Sequence, residues 1–331
     1  METLKVKSLP IKDVLNNLAD EMGGKVVNDC EVYSLKIPQE YGTGFIRGVN
    51  FTNGLAWVQY DCKFKQDVEI RFTVNQVHPL KFLYNLSDPF IHTFENDDEL
   101  HTAEQFKNLI VASKNTNGHI LRFHAQKSVK LNSIEIDRER FEVGQDCYYN
   151  QLNETIKNAI LDSNAESRHF LEGGISLKIA HEFRTIDHYK YDNFIRKMFL
   201  AGRTYEILAL QLRDYNTVTI VEDSDPTPEL MLEIDALLQD DFSTYGSVRA
   251  IATKLKIPES KLQHFFKKYY GMTGNEFLKQ HRMDLIVELL EESSLSIKEI
   301  AKLVGIENSS YLSKIFKSKF KLTPAEYRKR C

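Results

Sequence analysis

The chain contains two similar stretches, SVRAIATKLKIPESKLQHFFKKYYGMTGNEF at Ser247–Phe277 and SIKEIAKLVGIENSSYLSKIFKSKFKLTPAEY at Ser296–Tyr327. Equivalent residues lie 49 positions apart at first, as Ala252 and Ala301 do, and 50 positions apart after one inserted residue. Self-similarity at a fixed period indicates a repeated structural element. Each stretch is predicted to form a short helix, a tight turn and a second helix. The C-terminal part of the chain is therefore predicted to contain two helix-turn-helix motifs.

Residues that begin helices occur at equivalent places in the two motifs. Ser247 is a good N-cap residue ahead of an apolar helical face. Ser296 has Glu299 three positions later, which is the capping-box pattern. A Thr-x-x-Glu pattern follows each motif, at Thr273 and Thr323, and predicts that another helix begins there.

The helix after the first motif is predicted to run from Gly274 to about Glu292, which makes it ~28 Å long. Successive major grooves on one face of DNA lie ~34 Å apart. A rigid helix of this length could hold the two motifs near that spacing. The turn of each motif favours positive φ, which suits Gly305 and is less comfortable for the equivalent Lys256.

The second helix of each motif carries exposed polar residues near its N-terminal end, where a recognition helix meets base edges. Gln can pair with adenine and Lys with guanine. Lysines further along suit phosphates, which set the register without carrying sequence information. The predicted base contacts are Ser260, Gln263, His264, Ser309, Ser310, Tyr311 and Lys314. The predicted phosphate contacts are Lys267, Lys268, Lys317 and Lys319.

The net charge of −4 combines a basic part and an acidic part of the chain. Residues 241–331 contain 17 of the 43 basic residues but only 10 of the 47 acidic residues, so the remainder is acidic. The basic segment is also the repeated one. This combination is typical of a DNA-binding domain attached to a domain with another role.

Residues 229–331 resemble the DNA-binding domain of the AraC/XylS transcription regulators. The matching residues are Ile251-Ala252, Leu262, Phe266-Lys267, Gly271, Arg282-Met283, Leu289-Leu290, Ser296–Ala301, Val304-Gly305, Tyr311–Ser313, Phe316-Lys317 and Thr323–Arg328. The chain departs from the family pattern at Pro258, Ile306 and Lys321, where the family usually has a serine cap, an aromatic residue and a glycine. The resemblance implies a bacterial, cytoplasmic regulator that binds paired DNA sites as a homodimer. It also implies activation through contact with RNA polymerase, with repression as the minority case.

Residues 30–137 are predicted to form six to nine short β-strands in a barrel or sandwich. Val68, Ile70 and Phe72 alternate with polar residues, which is the period of a strand with one buried face. Turn signals such as Asn53-Gly54 separate the strands. A helix is predicted before them, at Ile11–Met22. The AraC/XylS resemblance implies a sensor in this part, often a cupin-like barrel with dimerising helices.

The predicted fold class is α+β with several domains: a cupin-like β-barrel sensor, a helical dimerisation section and an all-α C-terminal domain. The predicted boundaries are 1–145 for the barrel, 146–220 for the helical section, 221–228 for an acidic linker with two prolines, and 229–331 for the DNA-binding domain. Helical spacing of apolar residues over Tyr189–Arg213 predicts a section that pairs with a second copy. The alternative is that these residues only complete the core of the barrel.

A small-molecule effector bound in the barrel would meet aromatic and basic side chains. The candidate ligand-binding residues are Trp57, Phe72, Phe82, Tyr84, Arg47 and Arg122. Aromatic residues on the apolar face of a strand more often belong to the core. The barrel-then-helix layout and Lys261-Leu262-Gln263 are similar to regulators of siderophore uptake, a likeness too weak to imply a ligand.

No catalytic residue, cofactor or metal site is predicted. A metal-dependent cupin enzyme would need a His-x-His pair with a carboxylate and a later histidine, and the N-terminal part has no such pair. GxSxG, P-loop and GxGxxG motifs are absent. Two alternatives stay open. One is an enzyme-like cupin barrel fused to a DNA-binding domain, and the other is a regulator controlled by a protein partner rather than by a small ligand.

The expected location is the cytoplasm, without membrane contact. No apolar run reaches the ~18 residues of a membrane span, and the first residues lack the apolar region of a signal peptide. The four cysteines are scattered, which fits free thiols in a reducing compartment.

Overall fold

A computed structural model describes residues 1–73, 77–141, 152–187, 193–216 and 228–329 of the chain. The chain divides into two compact units, an N-terminal unit Met1–Val221 and a C-terminal unit Glu222–Cys331. The predicted linker at residues 221–228 lies outside the described residues except for Pro228. The division of the N-terminal unit into a barrel and a separate dimerisation domain remains a prediction, because the described residues of both belong to one compact unit.

The N-terminal unit is rich in β-structure, as predicted. Its strands are β1 Glu2–Val6, β2 Val26–Asp29, β3 Val32–Lys36, β4 Gly42–Asn50, β5 Leu55–Phe64, β6 Val68–Phe72, β7 Leu80–Asn85, β8 Phe90–Phe94, β9 His101–Ala103, β10 Lys107–Ala112, β11 His119–Phe123, β12 Ser128–Ile136 and β13 His169–Ile175. Its helices are α1 Ile11–Met22, α2 Glu154–Leu161, α3 Leu177–Asp187 and α4 Asn193–Asn216. The predicted helix at Ile11–Met22 is confirmed. Among the described residues of 30–137 there are ten strands rather than the predicted six to nine, because β9 is too short to show alternation.

The strands form two sheets. The smaller sheet has the order β1-β6-β11-β8-β9, and the larger sheet has the order β13-β10-β7-β12-β5-β4-β3-β2. In both, the end strands of the described part do not pair with each other, so the predicted closed, cupin-like barrel is not confirmed. Strand β1 pairs in parallel with β6, a long-range pairing that the alternation of the sequence does not specify.

A shared apolar core lies between the two sheets. Successive side chains of a strand point to opposite faces, and one set of each sheet packs against the other sheet. The rings of Tyr60 and Phe64 on β5 lie 6.2 and 6.0 Å from the ring of Phe123 on β11. Helix α1 adds buried Leu15 and Leu18 to this core. Burial of these side chains from both sheets makes the arrangement a sandwich.

Helices α3 and α4 cover the outer face of the larger sheet. The ring of Phe183 on α3 lies 5.5 Å from the ring of Tyr84. On α4, Gln211 Nε2 donates a hydrogen bond to Asn108 Oδ1 at 2.8 Å, and the Tyr215 hydroxyl donates one to the backbone oxygen of Asn108 at 2.6 Å. The larger sheet is therefore buried on both faces where these helices lie.

The described part of the C-terminal unit is helical and repeats itself, as predicted. Its helices are α5 Pro228–Asp240, α6 Phe242–Tyr245, α7 Val248–Leu255, α8 Glu259–Tyr270, α9 Gly274–Glu292, α10 Ile297–Leu303, α11 Ser309–Phe320 and α12 Pro324–Arg328. Helices α7 and α8 form the first helix-turn-helix motif, α10 and α11 form the second, and α9 joins them. The predicted capping boxes at Thr273, Ser296 and Thr323 are all present. No helix in the described ranges combines the length and apolarity that crossing a membrane requires.

The turns of the two motifs have the positive φ that the alignment of the two repeats predicted. Gly305 has φ 67° and the equivalent Lys256 has φ 55°. Lys321, which stands where the family usually has glycine, ends α11 with φ 62°. A side chain with a Cβ is strained in this left-handed region, so both lysines are held there by the surrounding fold.

Candidate nucleic-acid interface

The second helix of the first motif, α8, presents one apolar face and one polar face. Leu262, Phe265 and Phe266 are buried, and the ring of Phe266 lies 5.1 Å from that of Phe277 on α9. The opposite side of α8 is exposed. The predicted DNA contacts on that side are Ser260, His264, Lys267 and Lys268, all of which are exposed. Packing of the apolar face thus turns these four side chains outward.

Gln263 has a structural partner that the sequence did not indicate. Its side chain is half-buried, and its Oε1 accepts a hydrogen bond from the backbone N–H of Gly274 at 3.0 Å. Gly274 begins α9, so this N–H is one of those that a helix start leaves without an intrahelical partner. A contact between Gln263 and adenine would have to share this oxygen. Gln263 therefore also fastens α8 to α9.

The second helix of the second motif, α11, has the same two-faced character. Leu312 and Phe316 are buried, whereas Ser310, Tyr311 and Lys314 are exposed. Tyr311 is the most unusual of these, because 57% of this large aromatic residue is exposed. The predicted base contact Ser309 is half-buried.

The predicted phosphate contacts on α11 are lysines near its C-terminal end. Lys317 and Lys319 are both exposed. The Nζ of Lys319 lies 3.9 Å from Asp284 Oδ1, on α9, and 5.4 Å from the centre of the Phe320 ring. An exposed ion pair of this kind is weak, so it leaves the Lys319 ammonium accessible to a phosphate.

Two acidic residues, Glu276 and Glu299, are held at helix starts. Glu276 and Glu299 accept hydrogen bonds from the backbone N–H of Thr273 and Ser296 at 2.8 and 2.7 Å. These backbone hydrogen bonds lower the pKa of both carboxyl groups. The carboxylates are therefore ionised and held at the N-terminal ends of α9 and α10.

Arg282 is a residue of the interface region whose role the sequence did not indicate. It lies on α9 between Leu278 and Ile286, which are one helical turn away on either side and are both buried. Its guanidinium donates hydrogen bonds to the backbone oxygens of Val304 and Gly246. The sequence feature that marks this residue is its charge, which interrupts an otherwise apolar row of side chains on α9.

The six candidate ligand-binding residues do not line one site. Trp57, Phe82 and Tyr84 are buried on the outer face of the larger sheet, where α3 packs against Tyr84. Trp57 Nε1 donates a hydrogen bond to Asn132 Oδ1 at 3.1 Å, and the Arg47 guanidinium carbon lies 5.4 Å from the centre of the Trp57 ring. Phe72 belongs to the smaller sheet, where its ring stacks on His119 at 4.5 Å.

The two candidate arginines have partners on their own sheets. Arg47 Nε donates a hydrogen bond to Gln59 Oε1 at 2.7 Å, and Arg122 Nε donates one to Glu69 Oε2 at 2.7 Å. Together with the separation of the aromatic residues, these pairs support a core and surface role for the six positions rather than a common ligand site. The alternation of a strand does not reveal which of its faces a helix will cover.

A cavity of about 450 Å³ lies elsewhere in the N-terminal unit. It is lined by Phe94, Lys114, Asn117, Ser167 and Arg168. The guanidinium carbon of Arg168 lies 4.8 Å from the centre of the Phe94 ring, and the same guanidinium pairs with Asp97. These residues come from separate loops and strands, so no sequence pattern connects them.

Two histidines lie in the core between the sheets. The rings of His92 and His119 are 5.6 Å apart, and no ring nitrogen of either has a hydrogen-bond partner among the described residues. Burial, and then the charges around it, lower the pKa of His92 to about 3, and burial also lowers the pKa of His119. The described residues contain no group of three or more His, Cys, Asp or Glu arranged to hold a metal ion.

Comparison with known proteins gives two matches to family models. Residues 251–330 match a helix-turn-helix domain, and residues 42–231 match the N-terminal domain of the regulatory protein PchR. The second match covers more than half of the chain.

Three curated relatives each match part of the chain. The Msm operon regulatory protein of Streptococcus mutans is 26% identical over 175 residues, which is 52% of this chain and 63% of that protein. The HTH-type transcriptional regulator AlkR of Acinetobacter baylyi is 34% identical over 82 residues, covering 25% of this chain and 27% of AlkR. The HTH-type transcriptional activator RhaR of Yersinia pseudotuberculosis is 30% identical over 105 residues, covering 32% and 36%. The chain thus spans less than two thirds of the length of each.

Proposed function

Because the chain belongs to the family of regulatory proteins with a PchR-type N-terminal domain, and its helix-turn-helix domain is of the AraC/XylS type, we propose that it recognises DNA through both motifs of one subunit. Helices α8 and α11 would each enter a major groove, and the two grooves would be successive ones on the same face of the duplex. The base contacts would come from Ser260, Gln263, His264, Ser309, Ser310, Tyr311 and Lys314. The phosphate contacts would come from Lys267, Lys268, Lys317 and Lys319.

The observation that carries this proposal is the pair of exposed polar faces on α8 and α11. Each face is backed by buried aromatic residues, which fix its orientation. The joining helix α9 has 19 residues, so it is ~28 Å long. That length is comparable with the ~34 Å between successive major grooves. Two recognition helices joined by a helix of this length therefore suit successive major grooves of one duplex.

Selection from random-sequence duplexes with the full-length protein, followed by fluorescence anisotropy at two salt concentrations, tests this proposal. A selected duplex should bind saturably, and its affinity should fall as salt rises because counterions are released from phosphates. Lys314→Ala should weaken binding, whereas Lys5→Ala, a matched charge removal on β1, should not. Failure to enrich any duplex above the random pool would contradict the proposal.

Homodimerisation through α4 would let one regulator bind paired sites. One side of α4 packs on the larger sheet, and the other side carries an exposed apolar stripe, the α4 stripe, with spacings of three and four residues. The residues of the α4 stripe are Ile195, Met198, Gly202, Tyr205 and Ala209. A Cβ added at Gly202 would meet no atom within 4 Å.

A second copy of the chain fits this stripe by size. In an antiparallel pairing centred between Gly202 and Tyr205, Gly202 of one protomer faces Tyr205 of its partner. Met198 then faces Ala209. Met198 and Tyr205 therefore each meet a small residue, which is the arrangement that close helix packing favours.

A cavity in the N-terminal unit would bind a small anionic effector. The cavity of about 450 Å³ is lined by Lys114 and by Arg168, whose guanidinium also pairs with Asp97, with the Phe94 ring beside them. A ligand with a carboxylate and an apolar part would suit this lining. The anisotropy titration repeated with a panel of small carboxylates tests the assignment, because an effector must alter DNA affinity through its own binding energy.

The remaining parts of the proposal follow from the family. The protein would act in the cytoplasm, where bacterial DNA lies, and would activate transcription by contacting RNA polymerase. The N-terminal unit would act as a cupin-like sensor rather than as an enzyme. Control by a protein partner is the alternative outcome if no small molecule alters DNA affinity.

A further inference from the structure

Arg282 connects the two helix-turn-helix motifs from the helix between them. Its Nε donates a hydrogen bond to the backbone oxygen of Val304 at 3.0 Å, and its Nη2 donates one to the backbone oxygen of Gly246 at 2.8 Å. Val304 is the C-cap of α10, in the second motif. Gly246 is the C-cap of α6 and directly precedes Ser247, the N-cap of α7 in the first motif. One guanidinium therefore reaches both motifs.

The two acceptors of Arg282 lie at helix C-termini, where a cation is favourable. Carbonyl groups at a helix C-terminus lack partners within the helix, and the helix dipole is negative there. Hydrogen bonds from a charged donor are roughly twice as strong as those between neutral groups. The Arg282 side chain is half-buried, and its guanidinium carbon lies 5.2 Å from the centre of the Phe242 ring, so water competes less for these bonds.

A close backbone approach lies on the same side of α9. Gly305 follows Val304 in the turn of the second motif, and a Cβ added to it would lie 3.1 Å from the backbone oxygen of Ser243 on α6. Helices α6 and α10 therefore meet with little space between their backbones. Helix α9 packs against α7 and α8 of the first motif and against α10 of the second. The two bonds of Arg282 oppose a rotation of one motif against the other about α9.

We propose that Arg282 sets the distance and the rotation between the recognition helices α8 and α11, and so makes DNA binding depend on the number of base pairs between two half-sites. The inference rests on the proposed function, because it concerns how the two motifs share one duplex. Arg282 acts as a positioning residue and contacts backbone carbonyls of both motifs. Lysine cannot replace it, since a single ammonium group lacks the fixed fork of donors that spans two separated acceptors.

The test uses the full-length protein and the duplex that it selects from a random pool. The duplex is resynthesised with one or two base pairs inserted or removed between its half-sites, and anisotropy titrations compare the wild type with Arg282→Lys. Arg328→Lys is the matched control. Arg328 Nε donates to the backbone oxygen of Leu290 at 3.2 Å, which ties α12 to α9 without reaching the first motif. Circular dichroism verifies that the helices of both variants are intact.

The wild type and Arg328→Lys should lose about tenfold in affinity when the spacing changes, in the usual range for coupling between two sites. Arg282→Lys should bind the unaltered duplex within a few-fold of the wild type and should lose at most about threefold when the spacing changes. Unchanged dependence on spacing in Arg282→Lys would overturn the inference. Equal loss of affinity on every duplex would also overturn it, because that result indicates a role in stability alone. If no duplex is enriched, the proposed function fails and this inference fails with it.

Discussion

At the scale of single residues, the clearest strain in the C-terminal unit lies at Lys256. Its φ of 55° is in the left-handed region, whereas the equivalent Gly305 can adopt φ 67° without a Cβ. The turn of the first motif is thus formed despite the residue at its tightest point. The backbone N–H of Ile257 bonds to the backbone oxygen of Ala252 at 3.0 Å, which closes the turn and holds Lys256 in place.

Lys256→Gly should stabilise the C-terminal unit. Removing the Cβ relieves a cost of about 1–2 kcal/mol, offset in part by the greater backbone freedom of glycine in the unfolded chain, so a net gain of about 1 kcal/mol is expected. Urea unfolding followed by far-ultraviolet circular dichroism measures it. Lys254→Gly, in the last turn of α7, should instead lower stability by about 1 kcal/mol. A loss of stability in Lys256→Gly would show that its side chain makes contacts worth more than the strain.

Two exposed lysines on the recognition helices should behave differently when they are removed. Lys314→Ala should relax sequence preference at one base position, by about 1–3 kcal/mol, if Lys314 contacts a base edge. Lys267→Ala should weaken binding to all sequences and reduce the salt slope by about 1. Anisotropy titrations against single-base variants of the selected duplex separate the two effects. A uniform loss in Lys314→Ala would move that residue from the base contacts to the phosphate contacts.

Gln263 needs a different expectation, because it has a bond within the protein. Gln263→Ala should lower the stability of the C-terminal unit by about 1 kcal/mol, since the Gly274 N–H loses its acceptor. The substitution should therefore change protein stability as well as any DNA sequence preference that Gln263 contributes. Its unfolding curve has to be measured beside its DNA affinity.

At the scale of secondary-structure elements, α4 packs on the larger sheet with one side and carries the proposed dimer surface on the other. Its buried side includes Leu200, Ile207 and Leu208, which pack on the larger sheet. Its exposed side is the α4 stripe, in which Met198 is 61% exposed. A contiguous apolar stripe on the exposed side of a helix is typical of a surface that a partner covers.

Met198→Glu should convert the proposed dimer into monomers, because two buried carboxylates would face apolar side chains at the helix pair. Sedimentation-velocity ultracentrifugation over a range of concentrations measures the change. Leu161→Glu is the matched control, since Leu161 is also an exposed apolar residue but lies on α2. A wild-type protein that stays monomeric at high concentration would sink the proposal for the α4 stripe, and so would a Met198→Glu dimer of unchanged strength.

At the scale of the whole molecule, the two sheets enclose an end of the core that is polar. His92 and His119 face the buried Lys81–Glu135 ion pair there, and Phe72 stacks on His119. A neutral imidazole ring can be buried at this site. A protonated ring would be a buried charge without a hydrogen-bond partner among the described residues, which is unfavourable. The stability of the N-terminal unit should therefore respond to acid.

The direction of the response follows from the pKa values. Burial lowers the pKa of His92 from 6.5 to about 3, so between these values the unfolded chain binds a proton that the folded chain does not. Stability should fall as pH drops from 6.5 towards 3, by up to about 1.4 kcal/mol per pH unit for this imidazole. Urea unfolding at several pH values measures the slope. His92→Phe should reduce the slope, whereas removal of the exposed His124 should affect it less; equal slopes in both variants would contradict the assignment.

The sequence by itself determined the C-terminal unit. Within each unit of the repeat, the caps and the helical spacing depend on residues one or two helical turns apart. Such local patterns can be recognised in the sequence without knowledge of tertiary contacts. The start and end of α9 and the three capping boxes were therefore predictable. The positive φ at Lys256 was predictable too, because the repeat aligned it with a glycine.

Only the tertiary structure decided how distant segments meet. Alternation identified strands in the N-terminal unit but could not specify the parallel pairing of β1 with β6 or the two open sheets, because register depends on contacts between strands far apart in the chain. It could not show that Phe183 on α3 packs against Tyr84 and makes it part of a core. Arg282 also acquires its role only when α6 and α10 come together around it, since its two acceptors lie 36 residues before it and 22 residues after it.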